Sequence, residues 1–62
     1  ALIRSARLAI GMTQQQLGER LGYTGRTAEL TIQAIESGRR KAPRDKVKAL
    51  SDLLRLDPMR LL

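Results

Sequence analysis

The sequence predicts an all-α fold, and three observations predict it. Apolar residues recur at three- and four-residue spacing along most of the chain, which is how a helix gathers one face. No alternating run of β-branched residues is long enough to form a strand. Leu, Arg and Gln are plentiful, while Tyr23 is the only aromatic residue and Phe and Trp are absent.

The elements follow in order. Leu2–Ile10 reads as a first helix, with Leu2, Ile3, Ala6, Ala9 and Ile10 at apolar positions and Arg4, Ser5 and Arg7 elsewhere. Gly11 ends it. Thr13 opens a second helix as its N-cap, and Gln16, three residues on, completes a capping box. Met12 before the cap and Leu17 inside the helix form a hydrophobic staple. Gly22 takes the C′ position, where a left-handed conformation is needed. Leu17 and Leu21 face inward. Gly18 is the odd member, because a mid-helix Gly costs about 0.5–1 kcal/mol against Ala. Close packing of another helix across it is the compensation expected.

Tyr23–Thr27, with Gly25 inside it, is the connection to a third helix over Ala28–Ile35, with Thr27 as a possible cap. On that helix Ala28, Ile32 and Ile35 share one face. Arg26, Thr27, Leu30, Gln33 and Ala34 point broadly the other way, and Glu29 lies between the two sides. Gly38 closes the helix, and Arg39–Lys41 form a cationic loop ended by Pro43. A fourth helix runs from Pro43 or Arg44 to Leu54, with Val47, Leu50, Leu53 and Leu54 as its core stripe. Asp57 caps a short fifth helix, Pro58–Leu62, with Pro58 at its first position. The 62 residues make one domain.

Composition narrows the functions. The chain has no Cys and no His, which removes disulfides, thiolate metal sites, the commonest metal ligand and the commonest general base. A catalytic site would need paired carboxylates in a pocket, and Asp45, Asp52 and Asp57 read instead as helix-start or surface acids. The chain is therefore expected to be no enzyme, with no cofactor, no metal and no small-molecule ligand. Twelve Lys and Arg against six Asp and Glu leave a net charge of +6, which favours an anionic partner. No apolar segment approaches the ~20 residues of a transmembrane helix, and no signal peptide is visible. These features fit a cytoplasmic protein without a membrane partner. The chain begins at Ala1 rather than Met, as a trimmed chain or a fragment would.

Two short helices joined by a tight Gly-containing turn, followed by a basic loop, have the organisation of a helix-turn-helix. The second helix of such a pair suits the major groove of double-stranded DNA. The amino end of the first, here Gln14, suits a phosphate.

Met12-Thr13-Gln14-Gln15-Gln16-Leu17-Gly18-Glu19-Arg20-Leu21-Gly22 and Ile35-Glu36-Ser37-Gly38-Arg39-Arg40-Lys41-Ala42-Pro43 resemble the phage lambda repressor-like (Cro/CI, XRE-type) helix-turn-helix family. The resemblance covers nearly the whole chain. It implies a compact five-helix domain, with helices 2 and 3 as the helix-turn-helix, acting as a sequence-specific DNA-binding transcriptional regulator. A repressor, homodimeric on a two-fold operator, is the form expected. It implies that Gln14 binds a phosphate and that Gly18 permits close approach of helix 3. Ile32 and Ile35 match core positions, and Arg7 and Glu36 match positions that often pair. Arg39, Arg40, Lys41 and Arg44 match the loop that grips the DNA backbone.

The chain departs from the family between Gly22 and Ile35, where Tyr23–Ala34 is longer than usual. Either the turn is longer or helix 3 starts about one turn earlier. Counting back from Ile35 puts Glu29, Leu30 and Ala34 at base-reading positions, and the helical wheel adds Arg26, Thr27 and Gln33. Arg26 can pair with guanine, Gln33 with adenine, and Leu30 can pack on a thymine methyl. Glu29 either accepts from cytosine or is a first-turn acid favoured by the helix dipole.

Two rival readings stand beside DNA binding. A protein-interaction module on the same fold, of antitoxin or anti-repressor type, would use Leu30 on the outward face. A basic amphipathic membrane binder would use Leu53–Leu62, although that stripe looks like core.

Overall fold

The computed structural model describes residues 2–61, and among these it is all-α, with four α-helices and one 3-10 turn. The helices are α1 (Leu2–Ala9), α2 (Gln14–Arg20), α3 (Gly25–Glu36) and α4 (Arg44–Leu54), and the 3-10 turn is Pro58–Arg60. The expected fifth helix is thus a single 3-10 turn, and its last expected residue, Leu62, lies outside the described residues. Asp57 caps it as expected, its carboxylate accepting from the Met59 amide at 3.0 Å.

The ends of α1, α2 and α4 follow one pattern. At the end of α2 the Tyr23 amide donates to the Gly18 carbonyl and the Gly22 amide to that of Glu19, the paired bonds of a Schellman cap. Gly22 has φ +101° there. At the end of α1 the Met12 amide donates to Arg7 and the Gly11 amide to Leu8 in the same way. The residues that follow the two left-handed positions, Met12 and Tyr23, are half-buried and pack on the core, so each cap also anchors the chain. α4 ends alike, with the Leu56 amide on the Ser51 carbonyl and Leu56 against the core. Its left-handed residue, however, is Arg55, at φ +57°.

The core is Leu17 of α2 and Leu21 at its C-cap, Ile32 of α3, and Leu50 and Leu54 of α4, with Ile3, Ala6, Leu53 and Leu61 among the residues packed around it. Ala28 is fully buried and Val47 nearly so. Helix α1 departs from the expected pattern. Ala9 and Ile10 are exposed, and Arg7, placed away from the apolar face by periodicity, is only 7% exposed. The reason is a partner that hydrophobic spacing cannot register: Glu36 of α3 receives the Arg7 guanidinium.

Helices α2 and α3 form the most extensive pairing in the molecule. They cross at Gly18, where an added Cβ would lie 2.6 Å from the Ala28 Cβ and against the Ala28 carbonyl oxygen. The close approach expected at Gly18 is present, and Ala28 is the residue that makes it.

The turn between these helices is short. Helix α3 has Thr24 as its N-cap, only two residues beyond Gly22, and begins at Gly25. Thr27 is therefore not the cap: it lies within the first turn, exposed. The Thr24 side chain makes no capping hydrogen bond, so its role is positional. Gly25 enters the helix at φ +52° with open space around its Cα, a conformation an L side chain takes at a cost of about 1–2 kcal/mol. The left-handed step redirects the chain and lets α3 begin early. Of the two ways to absorb the longer Tyr23–Ala34 segment, the fold takes the second: a longer helix rather than a longer turn.

Candidate nucleic-acid interface

The outward surface of α3 is set by what its other side buries. Ala28, Thr31 and Ile32 are buried, and Ile35 is half-buried. At 100° per residue, Arg26, Leu30 and Gln33 then lie opposite the core. Arg26 and Leu30 are exposed, Leu30 by 45%, and Gln33 is half-buried. Glu29 and Ala34 are half-buried on either flank, and Thr27 is exposed beside Ala34. Because α3 starts at Gly25, Glu29 sits beyond the first turn, which holds no acid. The first-turn reading of Glu29 is thereby removed, and its place on the flank of the outward face remains.

Gln14 is the first residue of α2. The preceding cap is a full capping box: the Thr13 hydroxyl accepts from the Gln16 amide at 3.0 Å, and the Gln16 side-chain oxygen accepts from the Thr13 amide at 2.9 Å. Gln16 is thus committed to the cap. Gln14 points the other way, and its Nε2 donates to Glu36 Oε1 at 3.0 Å. Glu36 in turn accepts from Arg7 Nε at 2.7 Å, and Arg7 Nη1 donates to the Met12 carbonyl at 2.8 Å. The side chains of Arg7 and Glu36 are 8% and 6% exposed. One buried ion pair therefore ties α1 to the end of α3 and to the chain entering α2, and holds Gln14 at its edge.

The loop after α3 is anchored at its start. Ser37 Oγ donates to the Ala34 carbonyl, Arg39 Nε donates to Ser37 Oγ at 3.2 Å, and the Arg40 amide donates to the Ala34 carbonyl at 3.2 Å. Arg39, Arg40, Lys41 and Arg44 are all exposed. They do not form a single comb. Arg39 lines an open hollow of about 350 Å³ together with Gln14, Gln33, Arg4, Glu36 and Ser37. Arg40 and Lys41 instead flank a second hollow, floored by apolar residues including Ile3, Ile35 and Leu61. Arg44 is the first residue of α4.

The fold thus gathers three expected site residues from different segments, Gln14, Gln33 and Arg39, around one cleft. Two further residues at that cleft, Arg4 and Ser37, were not expected. The signal for Arg4 was available: it lies one turn before Arg7 on α1 and so on the same side of that helix. Among the described residues no group of His, Cys, Asp or Glu is arranged to hold a metal, and no helix is long and apolar enough to cross a membrane.

A capped short helix, a tight turn, a second helix with its polar face outward, and cations beyond its end define a helix-turn-helix protein. A family model described as helix-turn-helix matches residues 3–61. The chain belongs to the lambda repressor-like (Cro/CI, XRE-type) helix-turn-helix family. No curated protein and no solved structure gave a significant match.

Proposed function

We propose that this chain is a sequence-specific, double-stranded DNA-binding transcriptional regulator of phage or bacterial type, acting as a repressor. Residues 1–62 serve as one DNA-binding domain, in the cytoplasm, as a homodimer on a two-fold operator. Helix α3 enters the major groove. Arg26, Leu30 and Gln33 face the bases, with Thr27, Glu29 and Ala34 at the margins of the contact. Gln14, Arg39, Arg40, Lys41 and Arg44 contact phosphates. The carrying observation is the polar outward face of α3 lying beside a cleft that holds Gln14 and Arg39. A regulator of this kind needs no chemistry of its own: occupancy of the groove blocks or recruits polymerase.

Two measurements test this. With Arg39, Arg40, Lys41 and Arg44 each neutralising one phosphate, log K should fall against log salt with a slope of about −3.6 per protomer bound; a slope near zero would exclude DNA as the partner. Selection of bound sites from random duplex DNA should return a defined sequence, and a two-fold repeat in it would report the dimer. An unselected pool would remove the claim of specificity.

A second reading rests on Leu30, a 45% exposed apolar side chain in the middle of the outward face. The same surface would then dock a protein, as an antitoxin or anti-repressor does. Leu30→Ala separates the two readings: it should lower DNA affinity selectively at one base-pair position, whereas a protein partnership would be weakened even without DNA.

A further inference from the structure

We propose that Arg4 of α1 closes a clamp on one DNA phosphate, with Arg39 as the opposite jaw and Gln14 between them. This deepens the reading of the chain as a DNA-binding protein and rests on it. The clamp is the cleft lined by Arg4, Gln14, Gln33, Glu36, Ser37 and Arg39. Its volume of about 350 Å³ admits a phosphate together with several waters, at about 30 Å³ each.

The charges at the cleft do not cancel. Glu36 is its only acid, and the Glu36 carboxylate is already engaged by Arg7 and by Gln14. Arg39 spends its Nε on the Ser37 hydroxyl, a neutral partner that leaves its charge unbalanced. Arg4 makes no hydrogen bond or ion pair among the described residues. Arg7, one turn further along α1, is matched by Glu36, so the unmatched charges at the cleft are those of Arg4 and Arg39. Gln14 Nε2 retains a second N–H beyond the one given to Glu36, and Ser37, bonded to Arg39, also lines the cleft. The arrangement therefore recruits α1, which precedes the helix-turn-helix, into the DNA-binding surface. It places the phosphate beside Gln33, so the same contact fixes how deeply α3 sits in the groove.

The experiment compares two variants that each lose one positive charge. Arg4→Gln alters the clamp. Arg20→Gln alters a different hollow, lined with Ile10, Met12, Gln16 and Glu19. Binding to a random-sequence duplex is measured from 50 to 300 mM salt. Arg4→Gln removes one of the two cations on a phosphate that Arg39 still contacts, so it should make the log–log slope shallower by a fraction of one and weaken binding about threefold at 0.1 M. Arg20→Gln should leave the slope unchanged, and Arg4→Lys should restore it. Equal slopes for Arg4→Gln and wild type would overturn the clamp while leaving DNA binding intact. An equal change in Arg20→Gln would assign the effect to net charge and overturn it too. If the wild-type chain binds no duplex at all, the underlying DNA reading fails and the clamp with it.

Discussion

Gly18 is set by contact distance. A Cβ there meets backbone of α3 rather than the end of a flexible side chain, so the two helices must separate to admit it. Gly18→Ala should improve helix propensity and still destabilise the fold by about 1–3 kcal/mol, the usual cost of overpacking. Thermal melting followed by circular dichroism checks this, and a stabilised variant would mean that α2 and α3 do not meet at this residue. Arg7 and Glu36 follow a different logic. Removing one partner of a buried ion pair leaves an unpaired charge and costs about 3–5 kcal/mol, while replacing both by apolar groups is often close to neutral. Glu36→Ala should therefore unfold much of a chain this small. Arg7→Met combined with Glu36→Leu should recover most of the lost stability, even though the double variant is further from the native sequence. A double variant no more stable than the single one would show that Arg7 matters through its bond to the Met12 carbonyl rather than through Glu36.

At the scale of elements, the ends of α4 and α3 carry the information. Left-handed Gly residues terminate α1 and α2, but α4 is terminated by Arg55 in the same conformation. A non-Gly residue there costs about 1–2 kcal/mol, partly offset by the greater freedom Gly has when unfolded. Arg55→Gly should stabilise the fold by about 0.5–1 kcal/mol, raising the melting temperature by roughly 2–8 °C for a domain of this size. A fall in the melting temperature would place the Arg55 side chain in a stabilising contact. Comparing these elements with the sequence shows why some were legible. The capping box at Thr13, the staple residue Met12 and the C′ Gly22 are local signals that act within a few residues, so α2 could be bounded from the sequence. The start of α3 could not, because it depends on the left-handed step at Gly25, and a Gly in a turn does not announce which φ it takes. Burial of Arg7 was equally hidden from periodicity, since its partner lies 29 positions away; the family resemblance alone pointed to the pair. The candidate site divides in the same way. Gln14 and Arg39 follow from position in the motif, whereas their meeting with Arg4 and Gln33 is a property of packing.

For the whole molecule, charge decides how stability and binding respond to salt, and it sends them in opposite directions. The chain carries a net charge of +6 within extents of 28 × 22 × 19 Å, and among its described residues one ion pair, Arg7–Glu36, meets the distance for a salt bridge. At 0.01 M salt the Debye length is about 30 Å, long enough for cations on all sides to repel one another, and at 0.1 M it is about 10 Å. Folding concentrates that charge, so screening should favour the folded state. The Arg7–Glu36 pair is buried and is screened far less, so little stability is lost in return. The melting temperature of the free protein should therefore rise by a few degrees between 0.01 and 0.3 M sodium chloride. Over the same range duplex binding should weaken steeply, because each phosphate neutralised releases a counterion whose benefit falls as salt rises. Measuring both on one sample separates the two effects. A melting temperature that falls with salt would show that attractive surface pairs, rather than repulsion among unmatched cations, dominate the free protein, and the cationic surface would then be organised for the fold rather than left open for a polyanion.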